Sequence, residues 1–291
     1  MGPLPIQSTA ANLRVQFFRA LADSRWHKIS AQIYSGEQAG ILAESGSAGT
    51  FDHNVIQLNS GNGVEIRDGA GLVLRSNAVR SNGQMGVMFY NGAAGSLEGN
   101  EVSGNGMSGM CVSLNASPLI ARNSIFNNRQ SGVTFTDAGK GDLIECRVYS
   151  NGGAGVIIEG KSAPKVVSNT IYNGRRQGIL VRDGGLGTIK GNILLRNALA
   201  GIKIKACSGP RIIGNTVMSG FSYGIQVTGS GGGELTENKI FGNLDEGLLV
   251  LAPNGSVRLQ NNRTQKTDED EDIYHEVVQE LGLDLDSAST K

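Results

Sequence analysis

Apolar and polar positions recur along this chain with a period of 23 residues. Asparagine recurs at that interval, except that Cys146 replaces it once and leaves an interval of 46. We call the position of this asparagine position zero of each copy. Position nine is glycine in nine successive copies, from Gly63 to Gly247, and positions two, ten and twelve are apolar throughout. A register shared by this many copies indicates one repeating structural unit. The asparagines of position zero are Asn54, Asn77, Asn100, Asn123, Asn169, Asn192, Asn215, Asn238 and Asn261.

Within each copy, apolar residues alternate with other residues over short stretches, as in residues 63–66. A period of two predicts β-strands, and three short strands in 23 residues bury their inner faces only if successive copies stack ~4.8 Å apart. The pattern therefore predicts an all-β solenoid over residues 31–262, a single-stranded right-handed parallel β-helix of about ten coils. The glycine of position nine is predicted to turn a corner with positive φ.

The chain before the repeat has a different pattern. Residues 1–30 form an N-terminal segment in which residues 12–28 show helical spacing of apolar side chains. We predict that this helix caps the first coil, because the end of a solenoid needs a cover. Its apolar face comprises Leu13, Phe17, Leu21 and Trp26.

The chain after the repeat, residues 263–291, is acidic. A helix is predicted from Asp268 to Leu281, because acids crowd its first turn and Ile273 and Val277 share one face with Leu281. Two roles remain open for this helix. It either caps the last coil or docks on a partner.

Asparagine also recurs at position five, so that two asparagine columns run along the predicted rod. An asparagine amide can bond to its equivalent or to backbone one coil away, which predicts structural ladders. The alternative is a polar binding groove, but a ligand site needs local exceptions and these columns are uniform. The second column comprises Asn59, Asn82, Asn105, Asn128, Asn151, Asn197 and Asn243.

Segments 117–128 and 185–202 share an Asn-x-Ile or Asn-x-Leu unit and a further Asn, and the second segment continues into a Gly-Ile corner. In these features the chain resembles the parallel β-helix repeats of the F-box-only and Shc-SH2-binding type and, more distantly, the NosD-like and "carbohydrate-binding and sugar hydrolase" β-helices. The resemblance covers residues 31–262 and implies the fold. Only about 30 residues precede the first coil, too few for an F-box, so the resemblance does not imply a ligase adaptor that carries its own F-box.

Composition and charge narrow the class of protein. The 43 glycines suit a chain rich in tight turns. The net charge is zero, but residues 266–291 hold nine of the 26 acids and two of the 26 bases, which leaves 24 bases and 17 acids elsewhere. That excess is too diffuse to predict nucleic-acid binding. The absence of a long apolar stretch predicts no membrane association.

Cysteine usage bears on the compartment. Cys111, Cys146 and Cys207 are odd in number and form no Cys-x-x-Cys pair. This argues against a disulfide framework or a zinc site and favours a reducing compartment. Because the first residues also lack the apolar run of a signal peptide, we predict a cytoplasmic location, with the cytoskeleton or cilium as candidates.

Candidate catalytic chemistry is sparse. The acids at position fourteen are spread over coils ~10 Å or more apart and stand at turns, where aspartate is expected to cap the backbone. The three histidines share no coil. The sequence therefore predicts no catalytic residue, no metal site and no cofactor. The column at position fourteen comprises Asp68, Asn91, Asp137 and Asp183.

Two surface features are candidates for binding. Basic residues on adjacent coils could form a patch that faces an acidic protein or a polyanion, although they could also be an ordinary solvated face. Aromatic residues at position three could stack as a stripe along the rod. The basic residues are Arg175, Arg176, Arg182, Lys190, Lys203 and Lys205, and the aromatic residues are Phe126, Tyr149, Tyr172 and Phe241.

Three hypotheses of function follow. The leading one is a non-enzymatic protein-interaction scaffold, a rigid rod that docks on other proteins in a cytoskeletal or ciliary assembly. The first alternative is a carbohydrate-binding or carbohydrate-active β-helix protein, which requires an exposed groove with suitable side chains. The second alternative is a substrate-recognition subunit of a ubiquitin ligase that borrows its ligase contacts from another chain.

Overall fold

The computed structural model describes residues 13–15, 18–20, 25–29 and 31–283, with side chains from residue 32 onward. It contains 33 short strands and one helix, α1 (Asp268–Glu280). The strands in chain order are β1 (Leu13–Val15), β2 (Phe18–Ala20), β3 (Arg25–Ile29), β4 (Ala31–Tyr34), β5 (Ile41–Ala43), β6 (Ala48–Asp52), β7 (Val55–Gln57), β8 (Val64–Ile66), β9 (Gly71–Arg75), β10 (Ala78–Arg80), β11 (Val87–Phe89), β12 (Ala94–Glu98), β13 (Glu101–Ser103), β14 (Met110–Val112), β15 (Leu119–Ala121), β16 (Ser124–Phe126), β17 (Val133–Phe135), β18 (Asp142–Ile144), β19 (Arg147–Tyr149), β20 (Val156–Ile158), β21 (Lys165–Val167), β22 (Thr170–Tyr172), β23 (Ile179–Val181), β24 (Thr188–Lys190), β25 (Ile193–Leu195), β26 (Ile202–Ile204), β27 (Arg211–Ile213), β28 (Thr216–Met218), β29 (Ile225–Thr228), β30 (Gly233–Thr236), β31 (Lys239–Phe241), β32 (Leu248–Leu251) and β33 (Val257–Gln260).

The strands form three parallel sheets of eleven strands each, and every third strand along the chain belongs to the same sheet. Sheet A begins with β1, sheet B with β2 and sheet C with β3. Through most of the rod each residue pairs with its equivalent 23 positions later, as Val156 does with Ile179. The inward-facing side chains of all three sheets merge into one continuous buried core. The predicted parallel β-solenoid is confirmed.

The predicted N-terminal helix over residues 12–28 is wrong in its described parts. These are strands β1, β2 and β3, which pair with β4, β5 and β6 of the next coil. The physical reason is that the exposed strand edges of that coil offer backbone donors and acceptors, which a strand satisfies and a helix does not. Phe17 and Leu21 of the predicted helical face lie outside the described residues.

The asparagine columns form hydrogen-bonded ladders. Asn100 Nδ2 donates to Asn123 Oδ1 at 2.9 Å in the next coil and to the Leu74 carbonyl at 2.9 Å. Its own Oδ1 accepts from the backbone N–H and the side-chain amide of Asn77, each at 2.9 Å. The second column repeats this pattern, as between Asn82 and Asn105. The side-chain amides of both columns therefore form hydrogen bonds between successive coils.

The last rung of the first ladder differs from the prediction. Asn238 bonds to Asn262, and the predicted Asn261 is exposed and has positive φ. The cause is one extra residue before β33, since Gly233 pairs with Val257, 24 positions later. The insertion moves the next asparagine into the ladder position.

Position nine also differs from the prediction. None of its glycines, from Gly63 to Gly247, has positive φ. Glycine is required there because of close approach between coils. A Cβ atom on Gly132 would lie 2.4 Å from Val148 Cγ1 and 2.6 Å from the Gly155 carbonyl oxygen.

Helix α1 lies along the side of the rod, on the outer face of sheet A. Its 13 residues span about 20 Å, which matches the ~19 Å between the coils of Lys239 and Arg147. Val277 and Val278 are buried against an outward column of sheet A, and Glu280 pairs with Arg147 at 2.9 Å. The helix therefore covers a side face of the rod, and the end of the last coil remains uncovered by it. The column comprises Tyr172, Leu195, Met218 and Phe241.

Asp270 anchors the start of α1. Its buried carboxylate accepts two hydrogen bonds from Arg263, at 2.6 and 2.7 Å, and two from the backbone N–H and the hydroxyl of Thr267. Burial alone would raise the pKa of this carboxyl, but the hydrogen bonds from Arg263 and Thr267 prevail and lower it to about 2.

We expect α1 to detach from the rod as the pH falls from about 4 to about 2. Because the pKa of Asp270 is lower in the folded protein than its ordinary 3.8, its contribution to docking is complete above pH 4 and is lost on protonation. Amide resonances of α1 followed by NMR against pH measure this. Asp270→Asn should loosen α1 already at neutral pH and abolish the acid step, whereas resonances of α1 that stay unchanged down to pH 2 would contradict the assignment.

Within the described residues, no helix has the length and the apolar character needed to cross a membrane.

Candidate functional site

The outer face of sheet B carries a groove with a cavity of about 330 Å³. Strands β20, β23 and β26 supply its floor, and the turns that precede β17, β20 and β23 supply one wall. The floor is apolar where Ile157 and Leu180 point outward, and basic one coil further on at Lys203. The lining residues are Ser131, Gly153, Ala154, Ile157, Arg176, Gln177, Leu180, Arg182, Lys203 and Lys205.

The recess lies over three small residues, Ser131, Gly153 and Ala154, which the long side chains of the next coil border. Position seven is Gly153 in this coil but glutamine in the coil before it and Arg176 in the coil after it. Position eight is Ala154, against Gln177 in the next coil. The small side chains here leave a concave surface of the kind that binds ligands.

Three of the four cations in the groove have no acidic partner. Arg176, Lys203 and Lys205 form no ion pair within residues 32–283, and both lysines are half-buried. The fourth, Arg182, is paired, since its Nε lies 2.5 Å from Glu159 Oε2 and 3.4 Å from Asp183 Oδ2. Partial burial of an unpaired cation costs free energy, which a bound anion would offset.

The predicted basic patch is thus divided by the structure. Arg176, Arg182, Lys203 and Lys205 line one groove. Arg175 is exposed beside it and is not part of the lining. Lys190 lies at the end of β24 in sheet C, on a different face of the rod.

A second polar cluster on sheet B, which the sequence analysis missed, is internally paired. Arg67 donates to Glu44 through Nε and Nη2 at 3.1 and 2.6 Å, and through Nη1 to the Tyr90 hydroxyl at 2.9 Å. The Tyr90 hydroxyl donates in turn to Glu65 at 2.8 Å. Burial raises the pKa of Tyr90, so its proton is held. This network joins three coils, and the sequence signal for it was the charge column at position thirteen.

The remaining candidates have structural roles. Asp68, Asn91, Asp137 and Asp183 all have positive φ, as expected of turn residues. The rings of Phe126, Tyr149 and Tyr172 stack with centroids 4.7 and 4.9 Å apart. Tyr172 also packs in the apolar cluster beneath α1. All three cysteines are free thiols.

Two overlapping segments, residues 21–166 and 138–264, match the family model for a right handed beta helix region. Together they cover most of the chain. The chain belongs to the right-handed β-helix family. The narrower likeness to the F-box-only and Shc-SH2-binding type stays a resemblance. No curated protein shows significant sequence similarity to this β-helix.

Solved structures share the fold at low sequence identity. A mutant of the periplasmic alginate epimerase AlgG has a TM-score of 0.62 at 13% identity, covering 83% of this β-helix and 76% of that chain. The parent AlgG structure has a TM-score of 0.60 at 13% identity, covering 83% and 77%. The A-module of the Azotobacter vinelandii mannuronan C-5 epimerase AlgE6 has a TM-score of 0.47 at 13% identity, covering 89% and 92%.

These comparisons contradict the leading hypothesis. A non-enzymatic scaffold in a cytoskeletal or ciliary assembly is wrong, because the solved β-helices that resemble this one are enzymes acting on a polysaccharide. The predicted absence of enzymatic activity stays a prediction. The cytoplasmic location stays a prediction.

Proposed function

We propose that this β-helix binds an acidic polysaccharide along the outer face of sheet B. The observation that carries the proposal is the groove in which Arg176, Lys203 and Lys205 lack acidic partners. Carboxylate groups on a sugar chain would supply the missing negative charge through charge-assisted hydrogen bonds. A polymer fits better than a single small anion, because the cations are spread over adjacent coils.

The apolar part of the floor supports a sugar rather than a bare anion. Leu180 and Ile157 lie one and two coils before Lys203, respectively, on the same outward column of sheet B. A sugar ring presents C–H groups on its faces and polar groups at its edge, so it can pack on the two aliphatic side chains while its carboxylate reaches the lysine. Ligand sites commonly combine such an apolar floor with a few convergent polar groups.

The fold relatives lend the proposal independent support. AlgG is named as an alginate epimerase, and alginate is an acidic polysaccharide. At 13% identity the likeness concerns the fold, so the ligand class rests on the groove of this chain itself.

Removing the two lysines tests the proposal. Lys203→Gln with Lys205→Gln should weaken binding to alginate or polygalacturonate by about 100-fold or more, since each of the two lost charge-assisted bonds is worth roughly 1.5–3 kcal/mol. Calorimetric titration measures this, with the neutral polysaccharide dextran for comparison. Added salt should weaken the wild-type interaction, because it screens exposed charges.

The matched control is Lys165→Gln with Lys190→Gln, which removes the same charge from sheet C. This variant should bind like the wild type. An equal loss in both double variants would mean that overall charge, and not the groove, is responsible. The absence of wild-type binding to either polyuronate would overturn the proposal.

The position of Glu159 beside the groove suggests that the protein also acts chemically on the bound sugar. Its carboxylate contacts Arg182, which lines the groove, so a sugar held there would lie near a group that can accept a proton. Incubation of the protein with alginate, followed by proton NMR of the polymer, tests for a change in the sugar. An unchanged spectrum with intact binding would restrict the function to recognition.

A further inference from the structure

Side chains at position eight of the copies reach over the outer face of sheet B. Two contacts outside the groove show this direction. Asn62 Nδ2 donates to Glu65 Oε2 at 3.0 Å, and Ser108 Oγ lies 3.3 Å from Thr134 Oγ1. Glu65 and Thr134 stand at position eleven, the outward column at the middle of the sheet B strands. Position eight therefore forms a wall beside that column.

Tyr223 occupies position eight two coils after Gln177, which lines the basic groove. The backbone is alike at both residues. The Gln177 carbonyl accepts from the Gly155 N–H at 3.0 Å, and the Tyr223 carbonyl accepts from the Gly201 N–H at the same distance. The wall residue between them is Ala200, whose short side chain leaves the way open. The half-buried ring of Tyr223 thus lies over the same face, one coil beyond the groove.

Two further polar side chains accompany Tyr223. Gln226 follows Lys203 on the outward column, and Thr228 stands 23 positions after Lys205. All three are half-buried, and none of their side chains forms a hydrogen bond within residues 32–283. A phenol, an amide and a hydroxyl donate and accept hydrogen bonds without carrying charge. Sugar hydroxyls match such groups, and the tyrosine ring adds an aromatic surface for sugar C–H groups.

The next coil carries the opposite charge to the groove. Glu246 occupies position eight there, is exposed and forms no ion pair with the described side chains after residue 31. Its neighbour Asp245 is also exposed and accepts a hydrogen bond from Ser222 Oγ at 3.0 Å. A sugar carboxylate beside Tyr223 would approach these acids, and like charges repel. The lysines one coil earlier therefore attract a carboxylate, and the coil of Tyr223 does not.

We propose that Tyr223, Gln226 and Thr228 form a subsite for an uncharged sugar unit, next to the acidic unit held by Lys203 and Lys205. This subsite presupposes the proposed polysaccharide binding and narrows the ligand to a chain in which acidic and neutral sugars adjoin. Successive coils are ~4.8 Å apart, about the length of one sugar unit in an extended chain. Neighbouring units of the ligand therefore meet neighbouring coils.

Calorimetric titration of the full chain with two hexasaccharides tests this subsite. One comes from hyaluronan, in which acidic and neutral sugars alternate, and the other from polygalacturonate, in which every sugar is acidic. The wild type should bind the hyaluronan fragment about threefold more tightly, because its neutral unit avoids repulsion from Glu246. Tyr223→Ala should weaken binding of the hyaluronan fragment about tenfold, because the aromatic contact is lost.

Phe221→Ala is the matched control for Tyr223→Ala. Phe221 is an aromatic residue on the same turn and is 52% exposed, but it stands at position six. Arg175, the position-six residue two coils earlier, is not part of the groove lining. Phe221→Ala should therefore bind both fragments like the wild type. Circular dichroism checks that each variant is folded.

Glu246→Gln tests the charge that separates the two ligands. It should strengthen binding of the galacturonate fragment about threefold and leave binding of the hyaluronan fragment unchanged. A purely structural role of Glu246 would not alter the preference between the fragments.

Three results would overturn the subsite while leaving polysaccharide binding intact. They are a Tyr223→Ala variant that binds as tightly as Phe221→Ala, a wild type that prefers the galacturonate fragment, and a Glu246→Gln variant with equal effects on both fragments. A wild type that binds neither fragment would overturn the proposed function, and the subsite with it.

Discussion

Asn100→Ala is expected to lower the free energy of unfolding by roughly 3–6 kcal/mol. The side chain accepts two hydrogen bonds from Asn77 and donates to Leu74 and Asn123, all at 2.9 Å. Alanine would leave several of these buried groups without partners, at roughly 1–3 kcal/mol each. Urea unfolding followed by circular dichroism measures the loss.

The natural break in this ladder supplies the companion experiment. At Cys146 the Asn123 N–H meets a thiol at 3.4 Å, and the Asn123 amide lies 3.9 Å from the same sulfur. Cys146→Asn should restore the regular rung and raise the free energy of unfolding by about 1 kcal/mol. If Asn100→Ala and Cys146→Asn both left stability unchanged, the ladder would contribute nothing to holding the coils together.

Gly132→Ala is expected to cost about 3 kcal/mol or more of unfolding free energy. The new methyl group would lie 2.4 Å from Val148 Cγ1 and 2.6 Å from the Gly155 carbonyl oxygen, and the latter cannot move without separating two coils. Overpacking of a rigid core commonly costs 1–3 kcal/mol and occasionally more. The same urea titration measures it.

Gly209→Ala is the control for this substitution. Nothing lies within 4 Å of a Cβ atom at Gly209, and its φ is not positive. We therefore expect a change within about 0.5 kcal/mol, as for most surface substitutions. A similar loss in both variants would show that the cost of Gly132→Ala does not come from the contact between coils.

Much of the fold follows from the repeat because each coil contacts mainly its neighbours. The 23-residue period sets the partner of almost every strand residue, and the apolar columns set which side chains face inward. The predicted last rung of the asparagine ladder was wrong, because one extra residue before β33 places Asn262, and not Asn261, opposite Asn238. The prediction for position nine was also wrong, because a glycine pattern does not distinguish positive φ from close packing.

The candidate site was harder to predict, because a binding face combines side chains from different columns. The list of basic residues included the four that line the groove but also Lys190, which belongs to sheet C. The column at position thirteen does place Glu44 and Glu159 one coil before Arg67 and Arg182, but it does not show that the unpaired cations share one groove. Arg182 and Arg67 are paired across coils, whereas Lys203 and Lys205 are not, and that difference selects the groove.

By itself the sequence determined the parallel solenoid, its period, its core columns and the helix at its C-terminal end, because these depend on patterns that repeat along the chain. The tertiary structure decided that α1 lies on the side of sheet A, that residues 13–15, 18–20 and 25–29 join the sheets as strands, and that sheet B carries a basic groove on its outer face. These features depend on which surfaces remain uncovered once the coils have stacked. Exposure of that kind is a property of the whole rod, and no single repeat encodes it.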